Sequence, residues 1–558
     1  MKRALALVRS RPEVSVETLV LCSAVFMVVA GNSRFWEAAL AARAGAELST
    51  WGFGAALLVA LTALYVAAGA LLATRHTVKP LLTALLLTSA AVAYHIDRYA
   101  IYFDQAMLRN VLATDLHEAG ELLGWRLAGY LLALGVLPSL LVWWPRVKRR
   151  SLPRALVLRL GWLLAAVAVA AGSLLLVFSD FASLMRNHKE VRYLITPGNV
   201  VAAAAGTAWG RSQRASGPKL PVGADARLAV AVQGRTRPTL FVLVVGETAR
   251  AQNFALNGYA RATNPELARR DVINFPQTTA CGTSTEVSLP CMFSAWGRRD
   301  YDEGRILSHE SLLHVLARAG FQVQWRDNQS GCKGVCSGLP ELQLNGASAA
   351  ASCAGGQCAD EVLLQGLDGV ARDSHGNLFV VLHQLGSHGP AYYKRYPAAF
   401  RRFTPACENE DLRSCSRQEI LNAYDNSLLY TDHVLGSLID LLERAQATHD
   451  TAMLYVSDHG ESLGEGGLYL HGVPYPIAPD VQKRVPMVMW LSPAFRRSHG
   501  VDQDCLRRRA GQPASHDNLF HSLLGVLDVE TSAYEGALDL FAGCRTGGPP
   551  LLARAASH

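Results

Sequence analysis

Five apolar runs occupy the first third of this 558-residue chain, and they constrain its fold more than any other feature. The runs lie at 17–32, 52–74, 79–96, 125–144 and 160–179. Each approaches the roughly 20 residues that an α-helix needs to cross the hydrocarbon core of a bilayer. Five such runs in succession are typical of membrane spans, rather than of a cleaved signal peptide or of buried helices in a soluble protein. The sequence therefore predicts a five-helix transmembrane domain over residues 1–181.

Basic residues beside these runs predict the orientation of the chain. They cluster before the first run, between the second and third, and between the fourth and fifth: Lys2, Arg3, Arg9, Arg11, Arg75, Lys79, Arg146, Lys148, Arg149, Arg150, Arg154 and Arg159. Positively charged segments of this kind stay in the cytoplasm. With an odd number of spans and a cytoplasmic N-terminus, residues 221–558 form an extracytoplasmic domain. We expect residues 182–220 to form an interfacial helix and a linker, with a plain solvated connector as the alternative.

The distribution of charge removes one class of partner. The net charge is +7, but residues 1–217 contain 22 Lys and Arg against 11 Asp and Glu, and residues 218–558 contain 31 against 35. The positive excess therefore belongs to the membrane part, where it fits membrane lipids. We expect no nucleic-acid partner.

Cysteine spacing gives independent information about the compartment. Of 11 cysteines, Cys22 lies in the first apolar run, and the other ten follow the membrane part, mostly in short local pairs: 281 and 291, 332 and 336, 353 and 358, 407 and 415, then 505 and 544. This usage is typical of disulfides in an oxidising compartment. The alternative is a structural zinc site, because residues 332, 336, 353 and 358 offer four thiolates.

Beyond the linker, apolar β-rich runs alternate with helical patterns. The strand-like runs are Leu240–Val245, Phe321–Trp325, Leu378–Leu382, Met453–Val456 and Val485–Leu491, and the helical patterns lie at 310–319, 417–445 and 515–526. Such alternation indicates a mostly parallel sheet covered by helices on both faces. Sites in these sheets form outside the carboxyl ends of the strands. Three of the runs end in polar clusters, at 246–248, 383–389 and 457–461, so we expect a site there.

The residue types at two of these strand ends favour zinc. Glu247 follows one strand, and Asp458 and His459 follow another in a glycine-terminated turn. Two carboxylates and an imidazole suit Zn2+ with one position left for a reacting group. Each residue also has a plain structural interpretation, because Asp-His-Gly is commonly a turn and a glutamate at a strand end commonly forms an ion pair.

A hydroxyl cluster between Cys281 and Cys291 supplies candidates for the reacting group. Thr283, Ser284 and Thr285 lie in this loop. Coordination to zinc lowers the pKa of a hydroxyl, and a threonine activated in this way accepts a phosphoryl-type group covalently. If Thr285 begins a helix, the helix dipole also favours an incoming anion. The alternative is that these are ordinary loop hydroxyls.

Longer motifs around these residues resemble a known family, the phosphoethanolamine transferases of Gram-negative inner membranes. The motifs are VGETARAQNFALNGY at 245–259, CGTSTEVSLPCMFS at 281–294, HQLGSHGPAYYKRYP at 383–397, NAYDNSLLYTD at 422–432, SDHGESLGEGGLYLHG at 457–472 and, in the membrane part, DQAMLRNVLATDLHEAGEL at 104–122. The likeness extends over nearly the whole chain and is strongest to the lipid A phosphoethanolamine transferases that confer polymyxin and colistin resistance. It implies a C-terminal α/β/α sandwich of alkaline phosphatase and sulfatase type.

The resemblance also implies roles for individual residues. The zinc ligands of the family match Glu247, Asp458 and His459. Its nucleophile matches Thr285, which also contacts the zinc, and Thr283 is the second candidate. One tight zinc site is expected, with a second, weaker one as the alternative for nearby histidines.

Further positions match substrate contacts of the family. His388 and His471 match positions that contact the transferred headgroup or the weaker zinc. Ser330 and Lys333 match positions that contact substrate. Asn110, Thr114 and Glu118 match positions that hold the donor. Gln329 replaces an asparagine common in relatives, which leaves that contact in doubt. The family pattern implies the disulfides Cys281–Cys291, Cys332–Cys336, Cys353–Cys358 and Cys407–Cys415, and Cys505–Cys544 follows by elimination.

The implied reaction has two steps. Thr285 takes phosphoethanolamine from phosphatidylethanolamine, and a phosphate of lipid A then takes it from Thr285. The expected protein is a monomer of the inner membrane with a periplasmic catalytic domain. The alternatives are transfer to core sugars of lipopolysaccharide, a zinc hydrolase of phosphate or sulfate esters, and a lipid-binding receptor without catalysis.

Overall fold

A computed structural model describes residues 11–41, 48–114, 119–120, 122–213, 218–230, 235–344, 353–354 and 357–546. The chain divides into two compact units, Met1–Leu108 with Leu123–Thr207 and Arg109–Leu122 with Ala208–His558. Each unit has its own buried apolar core. The functional boundaries at residues 181 and 220 stay predictions.

The first unit is helical. Its elements are α1 (Val16–Ala30), α2 (Ser33–Ala41), α3 (Leu48–Leu72), α4 (Val78–Tyr99), α5 (Gln105–Ala113, which continues into the second unit), α6 (Trp125–Tyr130), a π-helical segment (Leu131–Val136), α7 (Leu137–Trp143), α8 (Leu152–Leu176), α9 (Phe178–Asn187), a 3-10 turn (Lys189–Leu194) and α10 (Gly198–Gln213). Among the described residues, α3, α4, the run Trp125–Trp143 and α8 are long and apolar enough to span a membrane. The bent pair α1 and α2 provides a fifth span if the two helices together cross the membrane once. These helices match the five predicted apolar runs.

The break between α1 and α2 is held by one buried asparagine. The two helices meet at an angle of 62°. The Asn32 side-chain amide donates to the carbonyls of Met27 and Thr196, both at 2.8 Å, and Asn32 Oδ1 accepts from the Thr196 backbone N–H at 2.7 Å. These bonds satisfy polar groups that would otherwise be unpaired at the break. The first apolar run therefore ends in a fixed bend.

An eight-stranded sheet forms the centre of the second unit. Its strands are β1 (Thr239–Gly246), β2 (Val272–Thr279), β3 (Gln322–Asp327), β4 (Glu341–Gln343), β5 (Leu378–His383), β6 (Asp450–Ser457), β7 (Arg484–Leu491) and β8 (Ala514–Ser515). Their order across the sheet is β8-β2-β7-β6-β1-β5-β3-β4. The pairings of β7 with β6 and with β2 are antiparallel, and the other five are parallel. The predicted, mostly parallel sheet is confirmed, with β7 reversed.

Helices cover both faces of this sheet. They are α11 (Pro265–Ala268), α12 (Thr285–Met292), α13 (Glu303–Ser308), α14 (Leu312–Arg318), α15 (Leu367–Asp373), α16 (Arg417–Ala445), α17 (Asp480–Lys483), α18 (Pro493–Ser498), α19 (Gln503–Ala510) and α20 (Asp517–Val526). Alternate residues of β1 enter two different cores: Leu243 packs with α12, α14 and α20, and Val242 packs with α16. A strand buried on both sides has no polar face, which explains the continuous apolar sequence of β1. The α/β/α sandwich is confirmed.

The sequence did not indicate β2. Its sequence, VINFPQTT, contains Pro276 and four polar residues, which weaken a strand pattern. In the structure β2 pairs with β7 and β8, and the ladder with β7 shifts register between Val485 and Met487. The irregularity accommodates the proline within the sheet.

We expect glycine at position 69 to be required for packing between α3 and α1. An added Cβ on Gly69 would lie 2.3 Å from Val20 Cγ1, whereas Gly172 in α8 has no atom within 4 Å of such a Cβ. Gly69→Ala should lower the free energy of unfolding by about 1–3 kcal/mol through overpacking, and Gly172→Ala should be neutral or slightly stabilising because alanine favours a helix. Thermal unfolding of both variants in detergent measures the change. Equal shifts in melting temperature for the two variants would contradict the packing role of Gly69.

Candidate metal centre and active site

The three predicted zinc ligands meet at the carboxyl ends of two neighbouring parallel strands. Glu247 follows β1 and Asp458 follows β6, where Ser457 pairs in register with Gly246. His459 Nε2 lies 3.3 Å from Glu247 Oε1 and 3.3 Å from Asp458 Oδ2. One ligand atom from each residue lies within 4.8 Å of the others, and all three residues are buried. The sheet topology thus brings together two carboxylate oxygens and one imidazole nitrogen as possible metal ligands.

The chemistry of this set fits a divalent cation. Glu247 Oε1 and Asp458 Oδ2 are buried without a hydrogen-bond partner in the described part of the chain. His459 Nδ1 donates to the Gly460 carbonyl at 2.9 Å, so in the neutral ring the Nε2 lone pair is available to coordinate a cation held between it and the carboxylates. A buried polar atom without a partner is strongly disfavoured. The arrangement is therefore complete only when a cation fills it.

Electrostatics lead to the same conclusion. Burial and the neighbouring Glu247 carboxylate raise the pKa of Asp458 to about 7. Burial lowers the pKa of His459, but the carboxylates of Asp458 and Glu247 outweigh it and raise that pKa to about 10. Without a metal, the cluster retains protons to reduce repulsion between its carboxylates. A divalent cation would supply that positive charge instead.

Thr285 is the loop hydroxyl that faces the cluster. Its Oγ1 donates to Glu247 Oε2 at 3.0 Å and lies 3.3 Å from His459 Nε2. It is the first residue of α12, with Ser284 as the N-cap. Thr283 Oγ1 instead donates to the Val473 carbonyl at 2.7 Å. This geometry favours Thr285 over Thr283 as the reacting hydroxyl.

Two residues that the sequence did not indicate hold the Thr285 loop against the end of β6. Ser288 Oγ accepts from the Gly282 backbone N–H and donates to the Asp458 carbonyl. His516 Nδ1 accepts from the Cys281 backbone N–H at 3.1 Å, and its Nε2 donates to the Ser457 carbonyl at 3.0 Å. Burial lowers the pKa of His516 to about 3, so its ring is neutral, as this pattern requires. Neither residue belongs to a strand-end motif that sequence patterns reveal.

Gln329 keeps a contact with the cluster despite replacing asparagine. It is buried after β3, and its Nε2 donates to Glu247 Oε2. Lys333 Nζ donates to Ser330 Oγ at 2.7 Å and lies 3.9 Å from Glu286 Oε2, the carboxylate next to Thr285. These residues therefore form one polar edge of the site.

The two predicted histidines border the same cluster. The His471 ring lies 4.4 Å from the His459 ring and 5.7 Å from the His388 ring, measured between centroids. His471 Nδ1 lies 3.4 Å from Glu461 Oε2, so a buried carboxylate orients it. The His471 ring therefore lies between the rings of His388 and the predicted zinc ligand His459.

The membrane-loop residues are not joined to the cluster. The Asn110 carbonyl accepts from the Thr114 N–H at 2.9 Å and from Thr114 Oγ1 at 2.7 Å. Neither side chain forms a hydrogen bond to the metal-type set within the described ranges. Glu118 lies outside the described residues. Their predicted contact with the donor stays a prediction.

The described residues form five disulfides. They are Cys281–Cys291, Cys332–Cys336, Cys353–Cys358, Cys407–Cys415 and Cys505–Cys544. Because cysteines 332, 336, 353 and 358 are oxidised in pairs, the alternative of a four-thiolate zinc site is wrong. Cys22 carries a free thiol.

Comparisons with known proteins agree with the motifs. The family model described as phosphoethanolamine transferase EptA/EptB matches residues 58–210, and the sulfatase model matches residues 239–529. Phosphoethanolamine transferase EptA of Escherichia coli K12 is 42% identical over 84% of this chain and 86% of its own length. Phosphatidylethanolamine transferase Mcr-1 of Escherichia coli is 39% identical over 93% of this chain and 96% of its own length.

A solved structure extends the similarity to the whole fold. The integral membrane protein lipooligosaccharide phosphoethanolamine transferase A from Neisseria meningitidis has a TM-score of 0.91 and 37% identity. The match covers 96% of this chain and 99% of that one. The similarity therefore includes the helical unit as well as the sheet domain.

We expect the cluster to bind one zinc ion tightly. Glu247→Gln and Asp458→Asn should each reduce the zinc content of the purified protein to about a tenth or less, because each removes one of three ligands. Glu310→Gln is the matched control, since Glu310 pairs with Arg318 outside the cluster. Elemental analysis after dialysis measures the content. Full zinc occupancy in both ligand variants would contradict the assignment.

We also expect Gln329 to orient Glu247. Gln329→Leu removes the amide donor to Glu247 Oε2 and should weaken zinc affinity by about 10–100-fold, the usual effect of losing a partner of a metal ligand. Gln343→Leu is the control, because Gln343 is exposed and contacts Glu341. Competition with a chelator gives both affinities. An unchanged affinity in Gln329→Leu would show that the contact is not needed.

Proposed function

We propose, since the chain belongs to the phosphoethanolamine transferase family, that it transfers phosphoethanolamine from phosphatidylethanolamine to a phosphate of lipid A. The chain is a multi-pass inner-membrane protein with a periplasmic catalytic domain. The observation that carries the proposal is the Thr285 hydroxyl, held 3.0 Å from Glu247 Oε2 at the first residue of a helix. Oxidised cysteines throughout the sheet domain fit the periplasm.

Glu247, Asp458 and His459 would hold the zinc, and Thr285 would complete the site. When bound, zinc lowers the pKa of a coordinated hydroxyl and neutralises charge on a phosphoryl group. Glu247 also orients the Thr285 hydroxyl through the hydrogen bond between them. The N-terminus of α12 directs backbone N–H groups towards an anion at Thr285.

The first step forms a bond between Thr285 Oγ1 and phosphorus. The bond from phosphorus to the glyceryl oxygen breaks, and diacylglycerol leaves with a proton. The proton that Thr285 gives up leaves along its hydrogen bond to Glu247 Oε2 and ends on the departing glyceryl oxygen. The product is phosphoethanolamine esterified to Thr285.

In the second step a lipid A phosphate oxygen attacks the same phosphorus. The bond to Thr285 Oγ1 breaks, and the hydroxyl regains a proton. His471, oriented by Glu461, and His388 are the groups beside the site that can carry protons to and from the oxygens. The added ammonium offsets phosphate charge on lipid A, which would weaken the binding of cationic peptides such as polymyxins.

The relative whose name specifies transfer to Kdo(2)-lipid A is less similar to this chain than EptA is. The Kdo(2)-lipid A phosphoethanolamine 7''-transferase of Escherichia coli is 27% identical, against 42% for EptA. A monomer suffices for the proposed reaction, because Thr285 and the zinc ligands all lie in one chain.

We expect Thr285→Ala to abolish transfer. Loss of the nucleophile should lower the rate by at least about a thousandfold, and no phosphoethanolamine adduct of the protein should form when donor is supplied without acceptor. Mass spectrometry of lipid A from expressing cells and of the intact protein measures both.

Thr283→Ala is the matched control for this prediction. It removes a neighbouring hydroxyl that contacts the Val473 carbonyl, so transfer should persist with a loss of stability of about 1 kcal/mol. Persistent lipid A modification by Thr285→Ala, or its loss only in Thr283→Ala, would refute the assignment. A modification found on core sugars instead of lipid A would refute the acceptor.

A further inference from the structure

A cavity at the N-terminus of α16 shares no residue with the catalytic cluster. Its volume is about 540 Å³. The polar residues that line it are Arg250, Gln252, Asn253, Tyr259, Arg417, Gln418 and Glu465. None of the proposed zinc ligands, nor Thr285, is part of this lining. We call it the Arg250 cavity.

Arg250 is buried, and two of its nitrogen donors are unpaired among the described residues. Its side chain is 1% exposed, and its Nη2 donates to Glu465 Oε1 at 2.8 Å. Its Nε and Nη1 have no hydrogen-bond partner in the part of the chain that the structure describes. Unpaired buried donors on a charged group are strongly disfavoured. Arg250 belongs to the lining of the cavity, so a ligand there can supply the missing acceptors once the nearly inaccessible guanidinium turns towards it.

The other charges around the cavity leave it positive. Arg417 Nη2 lies 3.5 Å from Glu465 Oε1, the oxygen that Arg250 also contacts. Glu465 is thus a single carboxylate shared by two guanidinium groups. Nearby, Asp425 is already paired with Arg261. The lining therefore has one positive charge in excess.

Two further features fit a tetrahedral oxyanion that also carries a hydroxyl. Arg417 and Gln418 are the first two residues of α16, a helix of 29 residues whose N-terminal dipole favours an anion. Asn253 is buried, its Nδ2 donates to Asp425 Oδ1, and its Oδ1 has no partner among the described residues. An unpaired acceptor beside unpaired cationic donors matches hydrogen phosphate or a phosphate ester with a neighbouring hydroxyl.

We propose that the Arg250 cavity is a second anion site that binds a phosphate group. Arg250 donates to the phosphate oxygens, Arg417 adds charge at the entrance, and Asn253 accepts from a hydroxyl of the ligand. The phosphate is either free in the periplasm or part of a lipid substrate. Only the lipid source rests on the proposed function, because binding of phosphate itself requires no transfer.

The test is titration of inorganic phosphate into the full-length protein in detergent, without lipid substrates, by calorimetry. Arg250→Gln should weaken binding at this site by at least about tenfold, as loss of a charged hydrogen bond does. Arg417→Gln should weaken it by about threefold, because Arg417 is 71% exposed. Glu465→Gln should strengthen it by about fivefold, because it removes the competing carboxylate. Arg372→Gln, equally exposed and paired with Asp368, should change nothing.

The opposite signs for Arg417→Gln and Glu465→Gln separate a binding site from a structural role. Loosening of the fold would weaken binding in both variants, so a fall in both would overturn the proposal. An effect no larger than that of Arg372→Gln would also overturn it. These two variants keep the test valid if Arg250→Gln does not fold.

Transfer assays on the same variants identify the source of the phosphate. A rise in KM for lipid A with two phosphates, but not for lipid A with one, in Arg417→Gln would place the second phosphate of the acceptor in the cavity. An unchanged KM together with weaker phosphate binding would assign the cavity to free phosphate. Either result supports the anion site. An enzyme that binds phosphate in the cavity but shows no transfer would support the anion site and refute the proposed function.

Discussion

Two buried carboxylates at the ends of adjacent strands determine how the rest of the catalytic domain is built. Glu247 and Asp458 follow strands that pair in register, so the sheet itself places them within reach of each other. Burying two like charges is strongly unfavourable unless a cation or protons compensate them. Several surrounding donors bind this pair: Thr285 and Gln329 donate to Glu247, and the N–H of Thr248 donates to Asp458. The chemistry proposed for Thr285 depends on this hydrogen bond to Glu247.

The elements that the sequence predicted are those whose patterns are local. A strand buried on both faces, such as Thr239–Gly246, is apolar at nearly every position, and the polar residue that ends it marks the site. The same reasoning found Asp458 and His459. His516 could not be found in this way, because its contacts with Cys281 and Ser457 join segments that are 235 and 59 residues away. Such roles depend on the completed fold.

The helical unit shows the same division between local and long-range information. Length and hydropathy are properties of each run, so the five apolar runs were predictable one at a time. The bend after the first run was not, because Asn32 is satisfied by Thr196, 164 residues later. From sequence alone, an asparagine at the end of a span indicates only the membrane surface. In the fold it fixes the angle between two helices.

The loop that carries Thr285 is attached to the metal-type cluster at several points, and this limits how the site can move. The disulfide to Cys291 closes the loop, Ser288 ties it to the Asp458 carbonyl, and His516 ties its first residue to the end of the neighbouring strand. The proposed nucleophile would have to be held within a fraction of an ångström of its productive position. Because the loop and the ligands share these supports, a shift of the strand end moves Thr285 and Asp458 together. Changes between donor and acceptor binding must therefore occur outside this rigid group, on the side where His388 and His471 border the cluster.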